Sequence, residues 1–148
     1  MADRISVMHQ GRIAQNASPV EVYRNPSEKF VAGFIGNPPM NFLPAVVAST
    51  GHWSVAGCEF AGPDAQATTI DFAIRPEDVS PSEAGISAVV RVVEPLGAHL
   101  LVTCDVDGHL FRAVLDSDLA IRAGDTITLA PQLDRIRWFD QTTTQAIC

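Results

Sequence analysis

Residues 99–106 (His-Leu-Leu-Val-Thr-Cys-Asp-Val) and 109–116 (His-Leu-Phe-Arg-Ala-Val-Leu-Asp) flank a single Asp107-Gly108 pair. Asp-Gly between alternating runs is a strong hairpin signal, because a two-residue type I′ turn needs both central residues at positive φ. With the turn placed there, Val106 faces His109. One face of the ladder then carries Cys104–Phe111, Val102–Ala113 and Leu100–Leu115. The other carries Asp105–Leu110, Thr103–Arg112, Leu101–Val114 and His99–Asp116. The first face is nearly all apolar and the second mixed, as expected of an antiparallel sheet with one side on a core. A slip of one residue would scramble that sorting, so turn chemistry and alternation specify the same register.

The same texture extends through the chain from about residue 41. Short β-branched runs alternate with turn residues, which predicts a small barrel or sandwich. The expected strands are 42–48, 53–56, 69–75, 87–94, 100–106, 109–115, 126–129 and 135–139, with 80–85 (Ser-Pro-Ser-Glu-Ala-Gly) as a loop.

Before residue 41 the pattern differs. Residues 4–8 and 12–15 read as a hairpin around His9-Gln10-Gly11. Ser18 can cap a first short helix, with Pro19 in its first turn and Glu21 three residues after the cap. Ser27 can cap a second helix, in which Phe30, Val31, Phe34 and Ile35 recur at helical spacing and Gly36 is the stop. An isolated hairpin is only marginally stable in water. The expectation is therefore that residues 1–40 end a domain whose sheet lies upstream, and that 41–148 form a separate β domain.

The formal charge of −7 and the scattered arginines, with Lys29 the single lysine, offer no basic stripe for nucleic acid. No apolar run approaches the ~20 residues that cross a bilayer. Cys58, Cys104 and Cys148 are odd in number and lack CxxC spacing, which fits a reducing compartment. Cys104 falls on the apolar hairpin face as a small core residue, and Cys58 and Cys148 read as inert.

Several stretches together carry a resemblance to a known family. They are Ala2-Asp3-Arg4-Ile5, Val7-Met8, Gly11-Arg12-Ile13, Gln15, Pro19, Glu21, Tyr23, Pro26, the Phe30-Val31-Ala32-Gly33-Phe34-Ile35-Gly36 run and Pro39-Met40-Asn41. This long gap-free match resembles the region just after the switch histidine in the ATP-binding subunits of sugar-importing ABC transporters, of the maltose and glycerol-phosphate type. Further on, Ala73-Ile74-Arg75-Pro76-Glu77-Asp78-Val79, the stretch from Val90 to Leu96-Gly97, Gly124-Asp125 and Ile136-Arg137-Trp138-Phe139-Asp140 resemble the OB-like TOBE β domain behind that ATPase core. The match thins over residues 52–68, which read as a family-variable loop.

The resemblance implies a mainly β fold. An OB-like (TOBE) barrel would follow a hairpin and two short helices left from a truncated α/β ATPase domain. It also implies a full-length parent that hydrolyses ATP with magnesium, pairs as a homodimer, meets transmembrane permease subunits and sits at the cytoplasmic face of the membrane. The chain itself shows no GxxxxGK[ST] phosphate loop. No catalytic, cofactor-binding or metal-binding residue is therefore assigned to it. His9, His52, His99 and His109 lack i,i+3 or i,i+4 spacing and read as ordinary histidines.

The residues of interest are Arg75, Glu77, Asp78, Trp138 and Asp140, as candidate regulatory or interface positions. Two readings stand for each motif. Arg75-Pro76-Glu77-Asp78 is either a contact with another β domain or regulator, or a strand exit with Arg75 paired to a nearby carboxylate. Trp138-Phe139-Asp140 is either a barrel plug or a sugar-stacking platform. The leading function is a non-catalytic regulatory and dimerisation module of an importer ATP-binding subunit. The alternative is a β module that senses an oxyanion or a sugar, with Arg75 and Ser80-Pro81-Ser82 as its local candidates.

Overall fold

The computed structural model describes residues 3–147. A two-stranded sheet comes first: β1 (Ile5–His9) pairs with β2 (Arg12–Ala17) through a Gln10-Gly11 turn with both residues at positive φ. Two one-turn helices follow, α1 (Pro19–Arg24) and α2 (Lys29–Phe34). Ser18 caps α1 by accepting from the Glu21 N–H at 3.2 Å. The Glu21 carboxylate does not reach back to complete a capping box; it accepts from Asn25 Nδ2 instead. Ser27 does not cap α2. Its Oγ donates to the Ala14 carbonyl and its N–H to Gln15 Oε1, so it fastens the helix entry to the hairpin, and Glu28 takes the cap position. Val7, Val22 and Val31 form a small buried cluster between hairpin and helices.

The remaining strands make two sheets. One has the order β10-β7-β8-β9, from β7 (Val79–Leu96), β8 (His99–Val106), β9 (His109–Asp116) and β10 (Thr126–Pro131). The other has the order β12-β11-β6-β3-β4-β5, from β3 (Asn41–Ser49), β4 (His52–Val55), β5 (Cys58–Ala61), β6 (Thr69–Ile74), β11 (Arg137–Phe139) and β12 (Ala146–Ile147). The architecture is mainly β. The β8–β9 ladder has the expected register at every pair, from Val106 opposite His109 to His99 opposite Asp116.

One core lies between the two sheets, built on Trp53, Phe72, Phe111, Ile86, Val102 and Leu129. Removing such apolar area from water is the main stabilising term, at roughly 25 cal/mol per Å². Strand β6 is buried on both faces: Phe72 points into this core, while Ala73 packs the other way with Ala32, Met40 and Phe139. That second cluster seats α2 against the outer side of the six-stranded sheet.

Three expectations are corrected. Residues 80–85 are not a free loop. Pro81 pairs with Leu129 and Ser87 with Thr128, so residues 82–86 form a bulge in β7 that delivers Ile86 fully buried to the core. β5 falls in the stretch expected as a variable loop, yet Ala56-Gly57 makes a positive-φ turn with φ of 49° and 81° and folds it back on β4. The last long strand is shorter than 135–139, because Leu133–Arg135 forms a 3₁₀ turn.

Candidate functional site

The Arg75-Pro76-Glu77-Asp78 motif stands where the β domain meets both helices. Pro76 ends β6 and opens a 3₁₀ turn, Pro76–Asp78. Arg75, only 2% exposed, points back from this exit toward the helix ends. Its Nη1 donates to the carbonyls of Ala32 at 3.1 Å and Ile35 at 2.5 Å, and its Nη2 to that of Tyr23 at 3.0 Å. The guanidinium also lies 4.3 Å from the Tyr23 ring centre.

The expectation of a paired carboxylate is thus replaced: Arg75 serves backbone carbonyls at the C-terminal ends of α1 and α2. A helix leaves those carbonyls without internal partners and makes its C-terminus electronegative, so a cation there is stabilised twice over. Gly36 makes room for it. A Cβ at this position, where φ is +106°, would stand 2.7 Å from Arg75 Nη1. Burial draws the Arg75 pKa down to about 10, with Asp78 opposing, so it remains a cation at neutral pH.

Glu77 and Asp78 lie beside it. Glu77 accepts a hydrogen bond from the Tyr23 hydroxyl. Burial raises its carboxyl above the usual range, and the neighbouring Asp78 charge adds to that. Asp78 is also raised by burial, which outweighs the pull of Arg135, Arg75 and Arg137. These carboxylates, with Val20, Tyr23, Arg24 and Arg135, line an open cleft of about 490 Å³ between α1 and the two 3₁₀ turns.

Trp138 and Asp140 lie apart from this cleft. Trp138 is 8% exposed and packs edge-on to Phe72 at 5.6 Å and tilted to Trp53 at 6.3 Å. It therefore plugs the core, and its remaining surface lines a second cleft of about 540 Å³ with Pro26, Ser27, Ile136 and Ile147. Asp140 Oδ1 accepts from the Thr142 and Thr143 N–H groups at 2.8 Å each, which holds its carboxyl below the usual carboxylate range and shapes the turn into β12.

That turn returns the chain to the helices. Lys29 N–H donates to the Thr144 carbonyl and Ala146 N–H to the Ser27 carbonyl. The Glu28 carboxylate, 2% exposed, collects Arg12 Nη2 at 3.0 Å, Gln145 Nε2 at 3.1 Å and His9 Nδ1 at 3.3 Å. Burial pushes its pKa up, but these donors outweigh burial and hold it below the usual range. Lys29 Nζ meets the Asp71 carboxylate of β6 at 2.6 Å.

Arg24, Glu28, Arg135 and Gln145 carry no signal of their own in the sequence, and Tyr23 and Arg137 stand out there only as part of the family resemblance. The histidines do not converge: His9 stacks on Phe30, and His52 faces Glu59. Among the described residues no three His, Cys, Asp or Glu side chains gather as a metal site, and no helix is long and apolar enough to cross a membrane.

Comparison with known proteins identifies the β module. Residues 72–139 match the TOBE domain family. An uncharacterized ABC transporter ATP-binding protein of Sinorhizobium fredii is 40% identical over 155 residues, covering 97% of this chain and 40% of that protein. The chain belongs to the family of ABC transporter ATP-binding proteins. The trehalose/maltose import ATP-binding protein of Thermococcus litoralis is 36% identical over 99% of this chain and 45% of its own length. The sn-glycerol-3-phosphate import ATP-binding protein of Ralstonia nicotianae is 38% identical over 99% of this chain and 44% of its own length. The chain therefore spans less than half the length of these relatives. The 82–86 bulge, the β6 exit with Arg75 and the Trp138 plug all fall inside the TOBE match, and the fold is the mainly β, OB-like class expected for it.

Proposed function

We propose that this chain is a non-catalytic regulatory and dimerisation module of an importer ATP-binding subunit. Residues 1–40 are the end of the ATPase domain and residues 41–148 the β domain. The full-length parent hydrolyses ATP with magnesium to drive uptake of a sugar or related solute. It works at the cytoplasmic face of the membrane with transmembrane permease subunits.

The Arg75 clamp is the observation that carries this reading. One buried guanidinium from the TOBE segment holds the C-terminal ends of both helices. A displacement of those helices cannot occur without loading the β6 exit, so the two parts move as one. Arg75, Glu77, Asp78, Trp138 and Asp140 contribute by shaping this junction and its flanking clefts. Unpaired sheet edges among the described strands, such as β5, are the surfaces a second copy would cover.

Sedimentation equilibrium at tens of micromolar tests the pairing: a homodimer is expected, and a clean 15.9 kDa monomer rejects it. Magnesium-dependent ATP turnover by these residues, persisting through repurification, would reject the non-catalytic assignment.

A further inference from the structure

Four of the ten Lys and Arg residues of this acidic chain meet at one place. The cleft described above continues into a recess of about 10 Å³, and the two share Tyr23, Arg24, Asp78 and Arg135. The recess adds Arg75 and Arg137. Opposing these four guanidinium groups are three carboxylates, Glu77, Asp78 and Asp134, the last close enough to Asp78 to act on its charge, and Glu77 is already engaged by Tyr23. The balance is cationic, in a protein whose formal charge is −7.

The arginines divide by what they hold. Arg75 and Arg137 are committed to backbone carbonyls: Arg137 donates to those of Arg24, Asp134 and Ile136. Arg24 and Arg135 make no side-chain hydrogen bond and no ion pair among the described residues, and they enter the cleft from separate elements, α1 and the Leu133–Arg135 turn. Arg75 Nε is buried without a partner. Leaving such a donor unmet is costly, so a group that brings an oxygen to it gains.

We propose that this cleft binds a small molecule carrying a phosphate group, its oxygens on Arg24 and Arg135 and its organic body against Val20 and Tyr23. Two guanidinium forks that hold no hydrogen-bond partner among the described residues, on separate walls, suit a dianion with three outward oxygens. A carboxylate is satisfied by one fork. A recess of this size admits a single oxygen-sized group beside Arg75 and Arg137. The apolar surface of exposed Val20 and the Tyr23 ring gives the rest of the ligand an apolar face to pack on. This binding goes beyond the regulatory reading and does not depend on it.

Calorimetric titration of the 148-residue chain with phenyl phosphate, inorganic phosphate, benzoate and phenol decides the matter. Phenyl phosphate should saturate a single site. Inorganic phosphate should bind more weakly, benzoate more weakly still, and phenol not at all. Arg24→Ala and Arg135→Ala should each weaken phenyl phosphate by about tenfold with the melting temperature unchanged, and Arg122→Ala, remote from the cleft, should bind like the parent. If Arg135→Ala loses stability, Arg24→Ala alone decides, because the Arg24 side chain holds nothing in the fold. No saturable heat up to about 10 mM phenyl phosphate overturns the proposal. So does an equal loss in Arg122→Ala, or benzoate binding as tightly as phenyl phosphate.

Discussion

Asn41 grips Arg112 by both sides of its backbone: Asn41 Nδ2 donates to the Arg112 carbonyl at 2.7 Å, and Asn41 Oδ1 accepts from the Arg112 N–H at 2.8 Å. The side chain thereby acts as a one-residue strand. It ties the start of β3, in the six-stranded sheet, to the edge of β9, in the four-stranded one, and satisfies two backbone groups at an otherwise open edge. Asn41→Ala should cost about 2 kcal/mol, since both partners lose a bond in a buried setting. Asn41→Asp should cost at least as much, because it sets an oxygen against the Arg112 carbonyl. Urea titration should show a lowered midpoint with an unchanged slope for both variants.

The Arg75 clamp makes two substitutions equivalent in outcome. Arg75→Lys keeps the charge but loses the fork that reaches three carbonyls, and should destabilise by about 3 kcal/mol. Gly36→Ala leaves Arg75 in place but collides with it from a backbone conformation alanine dislikes. Hydrogen exchange should rise at the C-terminal ends of both helices in each variant. Unchanged protection there would show that the clamp does not hold the helices.

The Glu28 cluster makes the junction acid-sensitive. Its folded pKa is lowered, so its contribution is present above the ordinary value of 4.5 and is lost as pH falls through the folded value. Glu77 and Asp78 are raised and act oppositely, contributing most in acid. Glu28→Gln should therefore be less stable than the parent at neutral pH, and its stability should fall less between about pH 5 and pH 3. Parallel pH profiles for the two proteins would remove Glu28 as the source.

Cys104 is fully buried opposite Phe111, and burial pushes its thiol up to about 11. It should resist thiol reagents at neutral pH until the chain unfolds. Cys104→Asp places an unpaired charge in the core and should cost about 4 kcal/mol, whereas Cys104→Val should stay folded. Thermal melts of the two variants check this, and a Cys104→Asp protein melting like the parent would overturn the inward-facing assignment. Cys148 lies outside the described residues.

What could be read from sequence was what depends on neighbours a few residues apart. Asp107-Gly108 imposes its turn through local φ alone, and alternation then sorts Cys104 and Phe111 inward, so the β8–β9 register was legible. The same holds for Ser18 capping α1 and for Pro76 ending β6. Ala56-Gly57 makes an equivalent turn, but alanine carries no turn preference, so β5 was hidden. Ser80-Pro81-Ser82 reads as loop locally, and only the partner strand β10 turns it into the start of a bulged strand. Arg75 was conspicuous by type, yet its partners are backbone carbonyls of residues 23, 32 and 35, which no side-chain pattern announces. The sequence by itself determined the β class, the hairpin register and the family. Tertiary structure alone decided the Arg75 clamp, the Asn41–Arg112 grip and the gathering of Arg24, Arg75, Arg135 and Arg137, because those contacts join segments distant in the chain and depend on chain crossing rather than on local preference.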